Sequence, residues 1–188
     1  YAPGARMADG AEYVVELARH DIVRDYETVC GNAGVYAGLV DIATMSVLNL
    51  YLGSDPAPSG DWLVVHMRPG YTSLAILRGK DLIFFRNRPD GEGETLADLV
   101  HQTAMYYQDR LNGQGFARVL LGGRGEAPGE EEEARRSLRD RLGVTVEAID
   151  PTLQAPLSEK LSASTESLDM MAPLVGILLR TQREAATA

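Results

Sequence analysis

Three short apolar runs, Trp62–Val65, Ser73–Leu77 and Leu82–Phe85, follow one another with only turn residues between them. No helix fits into those gaps, so the runs must be successive strands of an antiparallel meander. Arg78–Asp81 suits a tight hairpin, with Gly79 free to take a positive φ. Immediately upstream, residues 53–60 hold two prolines, two glycines and two serines, a composition that continues neither a helix nor a central strand. That break divides the chain into a segment over residues 11–53 and a larger one over 61–188. Residues 54–60 read as the linker and residues 1–10, Gly-rich and aperiodic, as a flexible lead-in.

The larger segment continues with a helix over about Thr95–Leu111. Leu96, Leu99, Val100, Thr103, Tyr107 and Leu111 recur on one face at three- and four-residue steps, and Asn112-Gly113 stops it. Arg118–Leu121 reads as a buried strand running into Gly122-Gly123. A charged helix is expected over about 130–142, then a strand over Val144–Ile149 and a last helix over Ser167–Arg183 with Pro173 near its first turn. A strand reached through the 95–111 helix can lie parallel to a neighbour, so strands 61–67, 73–78, 81–88 and 117–121 are expected in one mixed sheet. In the smaller segment, Tyr13–Ala18 and Tyr36–Ile42 read as strands. Asp21–Cys30 and Met45–Leu52 read as helices, giving a β-α-β-α unit.

Composition narrows the function. The 188 residues carry 18 Lys and Arg against 27 Asp and Glu, a net charge of −9, which argues against a broad grip on nucleic acid or anionic lipid. The single cysteine, Cys30, excludes a disulfide framework and fits a reducing compartment. His20, His66 and His101 show no zinc-ligand spacing, and no apolar run approaches the roughly 20 residues that span a bilayer. The Tyr1–Arg6 start lacks the apolar stretch of a signal peptide. These features read as an acidic cytoplasmic α/β protein.

Two strings carry chemistry. Leu120–Gly125 is a strand ending in paired glycines at a helix entry, where bare backbone N–H groups can hold polar atoms. The same pair serves equally as a plain strand-to-helix turn. Pro69–Ser73 puts a glycine and two hydroxyls in a β-hairpin that could cradle a phosphate. The residues entering that hairpin are His66, Met67 and Arg68 rather than a metal-holding acid. His66 is available as a base, although a lone histidine at a strand end is more often structural. No nucleophile–base pair, Walker loop or dinucleotide fingerprint is present.

The order of these elements resembles the actin-like ATPase superfamily, in particular its FtsA- and PilM-type members and the cytoplasmic part of GspL. The resemblance rests on Val14–Arg19, Asn32–Gly34 and Leu39–Ala43 in the smaller segment, the meander as a second phosphate region, Leu120–Gly125 as an adenosine motif, and Val144–Pro151. It implies an actin-like (ribonuclease H-like) mixed-sheet domain bearing a small β-α-β-α subdomain. If ATP is retained, it implies nucleotide contacts from Gly70, Thr72, Ser73, Gly122, Gly123, Arg124 and Gly125.

The departures imply a degenerate site. The family's Asp-x-Gly signature falls on His66-Met67-Arg68, and the helical insert between meander and adenosine motif is absent. The resemblance therefore implies a structural adaptor of a type IV pilus or type II secretion platform, without catalytic residues, metal or an obligatory cofactor and without useful ATP turnover. Its partner would be the cytoplasmic tail of a PilN-like inner-membrane protein, taken beside residues 13–19 and 43–52. Membrane contact would come only through that partner, and self-association stays open. The rival reading is an actin-like ATP-binding protein or ATPase switch.

Overall fold

The computed structural model describes residues 2–7, 10–15, 17–52, 59–89, 93, 95–123, 129–155 and 163–187. The meander forms as its pattern requires: β3 (Asp61–Arg68), β4 (Tyr71–Arg78) and β5 (Asp81–Pro89) pair antiparallel. Gly70 and Gly79 take φ of 91° and 61° in the two tight turns, a region that costs glycine nothing. β6 (Phe116–Gly123) then lies parallel to β3, and β7 (Val146–Ala148) parallel to β6. The resulting five-stranded mixed sheet has the order β5-β4-β3-β6-β7, so strands 61–67, 73–78, 81–88 and 117–121 share one mixed sheet as expected.

β3 is buried on both faces, which is why it reads as an unbroken apolar run instead of alternating. Leu63, Val65 and Met67 point to one layer, with Leu99, Val100 and Tyr107 of α3 (Leu96–Leu111) and Ala134 and Leu138 of α4 (Glu130–Leu142). Trp62 and Val64 point to the other, with Val47, Leu48, Leu50 and Tyr51 of α2 (Ala43–Leu52) and Ala172 of α5 (Thr165–Thr187). α3 begins on a capping box between Thr95 and Asp98 and ends on Asn112 at φ 53°.

One corner ties four elements. Arg78 grips the Asp61 carboxylate at 2.6 Å, and the Tyr107 hydroxyl reaches Asp61 Oδ2 at 2.7 Å and the Gly115 carbonyl at 2.9 Å. The Tyr107 ring stacks on Phe116 and lies where a Cβ on Gly113 would fall, 2.2 Å away, which accounts for glycine there. Tyr107→Phe is expected to lower stability by about 1–2 kcal/mol, since it strands hydrogen-bond acceptors at a part-buried corner. An unchanged urea midpoint would refute that role.

Several expectations are corrected. Residues 36–42 contain no strand; they run irregularly into α2. The first strand of the smaller segment lies earlier than Tyr13–Ala18, at β2 (Gly10–Val14), and pairs with β1 (Ala2–Met7), inside the stretch read as a flexible lead-in. The apolar side of α2 is sealed against the sheet and α5. The break at 53–58 lies outside the described residues. α5 starts at Thr165, so Pro173 sits two turns inside the helix and not at its entry. The charged helix over 130–142 is not solvated all round, since it buries Ala134 and Leu138.

Candidate functional site

The C-terminal ends of β3 and β6 lie side by side, His66 opposite Gly122 and Met67 opposite Gly123. Alternation along each strand then sends neighbouring residues to opposite faces. Ser73 and His66 fall on the α2/α5 side, where both are buried. Thr44 of α2 donates to Ser73 Oγ at 3.1 Å and meets His66 Nδ1 at 2.9 Å, and Asn87 Nδ2 donates to Ser73 at 2.9 Å. With the Thr44 proton given to Ser73, His66 is the donor from Nδ1. Burial, helped by the nearby Arg68 charge, pushes its pKa down to about 4. His66 thus serves as a structural histidine joining α2 to the sheet.

Thr72 faces the opposite layer. It lines a cavity of about 330 Å³ with Arg68, Arg88, Glu130, Glu133 and Ser137, between the strand ends and the first turns of α3 and α4. Gly70 stands at the hairpin tip with open space around it. Arg124 and Gly125 lie outside the described residues. The residues singled out in the sequence therefore do not converge: Thr72 and Ser73 are on different faces, and the Ser73 hydroxyl is engaged internally.

The glycine pair has its own explanation. A Cβ on Gly122 would meet Asp169 Oδ1 and Ile149 Cδ1 at 2.7 Å. Gly123 has φ 84°, and its Cβ would fall 1.8 Å from the Met67 carbonyl oxygen. Its N–H donates to the Asp169 carboxylate, with both oxygens 2.8 Å away. Among the described residues no group of three His, Cys, Asp or Glu could hold a metal. A neutral buried imidazole where a carboxylate would orient magnesium, and a carboxylate on the turn that would face a nucleotide, do not fit a magnesium nucleotide.

Sequence reasoning missed Asp169. Its signal was a lone acid at the head of the apolar run Met170–Leu179, a residue type that is buried only when paired. Thr44 and Asn87 gave no signal beyond their polarity.

A second surface is built differently. α1 (His20–Asn32) has no buried residue, although its sequence is amphipathic. Large apolar side chains are exposed along the whole of 15–42, including Leu17 and Tyr36, each 93% exposed, and Tyr26, Val29 and Val35. Asp41 anchors this arm, accepting from Ser46 Oγ and Arg180 Nη1 at 3.2 Å and from the Ile42 N–H at 2.8 Å. No described helix is long and apolar enough to cross a membrane.

The meander, the parallel β3–β6 pair and the helices on both faces define an actin-like α/β fold. Among solved structures the chain is similar to PilM in a PilM–PilN type IV pilus biogenesis complex. The TM-score is 0.70 and the identity 18%, over 87% of this chain and 58% of that one. It is also similar to the ethanolamine utilization protein EutJ from Carboxydothermus hydrogenoformans, with TM-score 0.51 and 13% identity over 86% of this chain and 62% of that one. The chain thus spans less than two thirds of either relative. No family model matches it, and no curated protein sequence does.

Proposed function

We propose that this chain is an adaptor of a bacterial pilus assembly platform that takes the cytoplasmic tail of a PilN-like inner-membrane protein on the arm 15–42. The observation that carries this is the arm itself. An amphipathic helix with no buried residue, flanked by exposed Leu17, Val35 and Tyr36, presents the kind of apolar anchor surface into which a short peptide docks. The similarity to PilM supports the choice of partner. The sequence pointed to 13–19 and 43–52; the second of these is withdrawn, because the apolar side of α2 is already covered by the sheet and α5. On this reading the protein is cytoplasmic, meets the membrane through its partner alone, and does not turn over ATP.

The test is fluorescence anisotropy with a labelled peptide of the PilN-like tail. Wild-type protein is expected to bind it saturably, and Leu17→Glu with Tyr36→Glu is expected to weaken binding at least about tenfold, some 1.4 kcal/mol. Both positions are exposed, so the fold should survive the change. Equal binding by the double variant, or none by the wild type, overturns the proposal.

A further inference from the structure

We propose that the Gly122–Gly123 turn is an oxyanion-binding turn that is closed by a ligand built into the chain, the Asp169 carboxylate of α5. Both Asp169 oxygens lie 2.8 Å from the Gly123 nitrogen, 46 residues away in sequence, in the two-oxygen arrangement that an external phosphate would offer the same N–H. The bareness of Gly122 is what admits the carboxylate, since Oδ1 lies 2.7 Å from where a Cβ would stand. Ile149 closes the other side at the same distance. Gly123 has φ 84°, and a Cβ there would fall 1.8 Å from the Met67 carbonyl oxygen, so the backbone packs directly against β3.

An oxyanion arriving from solution meets a like charge at this turn and must displace Asp169. Asp169 is held by the seating of the whole helix. Gly176 lets α5 approach the Ser46 carbonyl of α2, and Arg180 reaches Asp41. The turn therefore opens to an external anion only when the N-terminal part of α5 moves or loses its carboxylate. Arg180 ties the far end of α5 to the arm through Asp41, but the Gly123–Asp169 bond itself touches no residue of 15–42, so its readout is separate from that of the adaptor reading.

The experiment follows the Gly123 amide by 15N NMR in the whole chain, with inorganic pyrophosphate as the probe. In the wild type the amide is expected to exchange slowly and to stay unmoved by pyrophosphate. In Asp169→Ala it is expected to exchange at least about tenfold faster, as the loss of one charge-assisted hydrogen bond requires, and to shift saturably with pyrophosphate. Where Asp169→Ala does not fold, Asp169→Asn, which keeps one acceptor oxygen, is read the same way with a smaller gain. A wild-type amide that already follows pyrophosphate overturns the proposal. So does a folded variant with unchanged exchange, or one with faster exchange and no response to pyrophosphate, which would leave Asp169 as a structural tie alone.

Discussion

Replacing Gly176 by alanine is expected to lower stability by about 3 kcal/mol or more, the upper range for overpacking a close contact. The added Cβ would stand 1.7 Å from the Ser46 carbonyl oxygen and 2.6 Å from its carbonyl carbon, so backbone and not a flexible side chain must yield. Ala172, one turn earlier on the same face, is also buried, and the pair lets α5 lie directly on α2. At an ordinary helix position the same substitution gains up to about 1 kcal/mol from helix propensity. The sign of the effect is therefore decisive. For a chain of this size the loss should appear as a fall of roughly 6–12 °C in Tm. A variant as stable as the wild type in urea and on heating would show that α2 and α5 do not cross this closely.

Stability is also expected to fall steeply as the pH is lowered from about 6.5 to about 4. His66 is buried and neutral in the folded protein, with its pKa pushed down to about 4, whereas in the unfolded chain it titrates near 6.5. Between those values the unfolded state binds the extra proton, so stability rises with pH through the window and is fully present above it. The slope approaches about 1.4 kcal/mol per pH unit, and about 3 kcal/mol in all is lost by the acid end. Asp61 and Glu147 are held below their usual carboxylate range by Arg78 and Arg118, so their contributions begin to fade only from about pH 5 downward and the His66 slope is read above that. Urea unfolding at a series of pH values checks the expectation, with His66→Gln as the comparison that should flatten the slope. A wild-type protein equally stable at pH 7 and pH 4.5 would show that the Thr44–His66–Ser73 network does not exclude the charged imidazole.

The sheet was legible because its signals are local. β3, β4 and β5 are apolar runs cut by Pro69-Gly70 and Gly79-Lys80, and the turns fit only antiparallel pairing. α3 was legible for the same reason: Leu99, Val100, Thr103 and Tyr107 repeat at helical steps and are the residues it buries. The intervening helix made a parallel place for β6 possible, and the structure set β3 as its neighbour. The strand read at 36–42 was misplaced because a β-branched apolar stretch fits any covered or half-covered surface, and here it forms an exposed irregular connection.

The sequence by itself determined which faces are apolar and where the chain turns, since periodicity and turn residues are properties of short stretches. The tertiary structure alone decided what each face meets. α2 and α1 are both apolar enough to be buried, yet α2 is sealed into the core and α1 is left bare, because the hydrophobic effect rewards burial without specifying a partner. The glycine pair could be read equally as a ligand site or as a turn. Its meaning rests on a carboxylate 46 residues away that only the packing of α5 across the sheet brings within 2.8 Å, and hydrogen bonds between such distant residues leave no periodic trace in a chain.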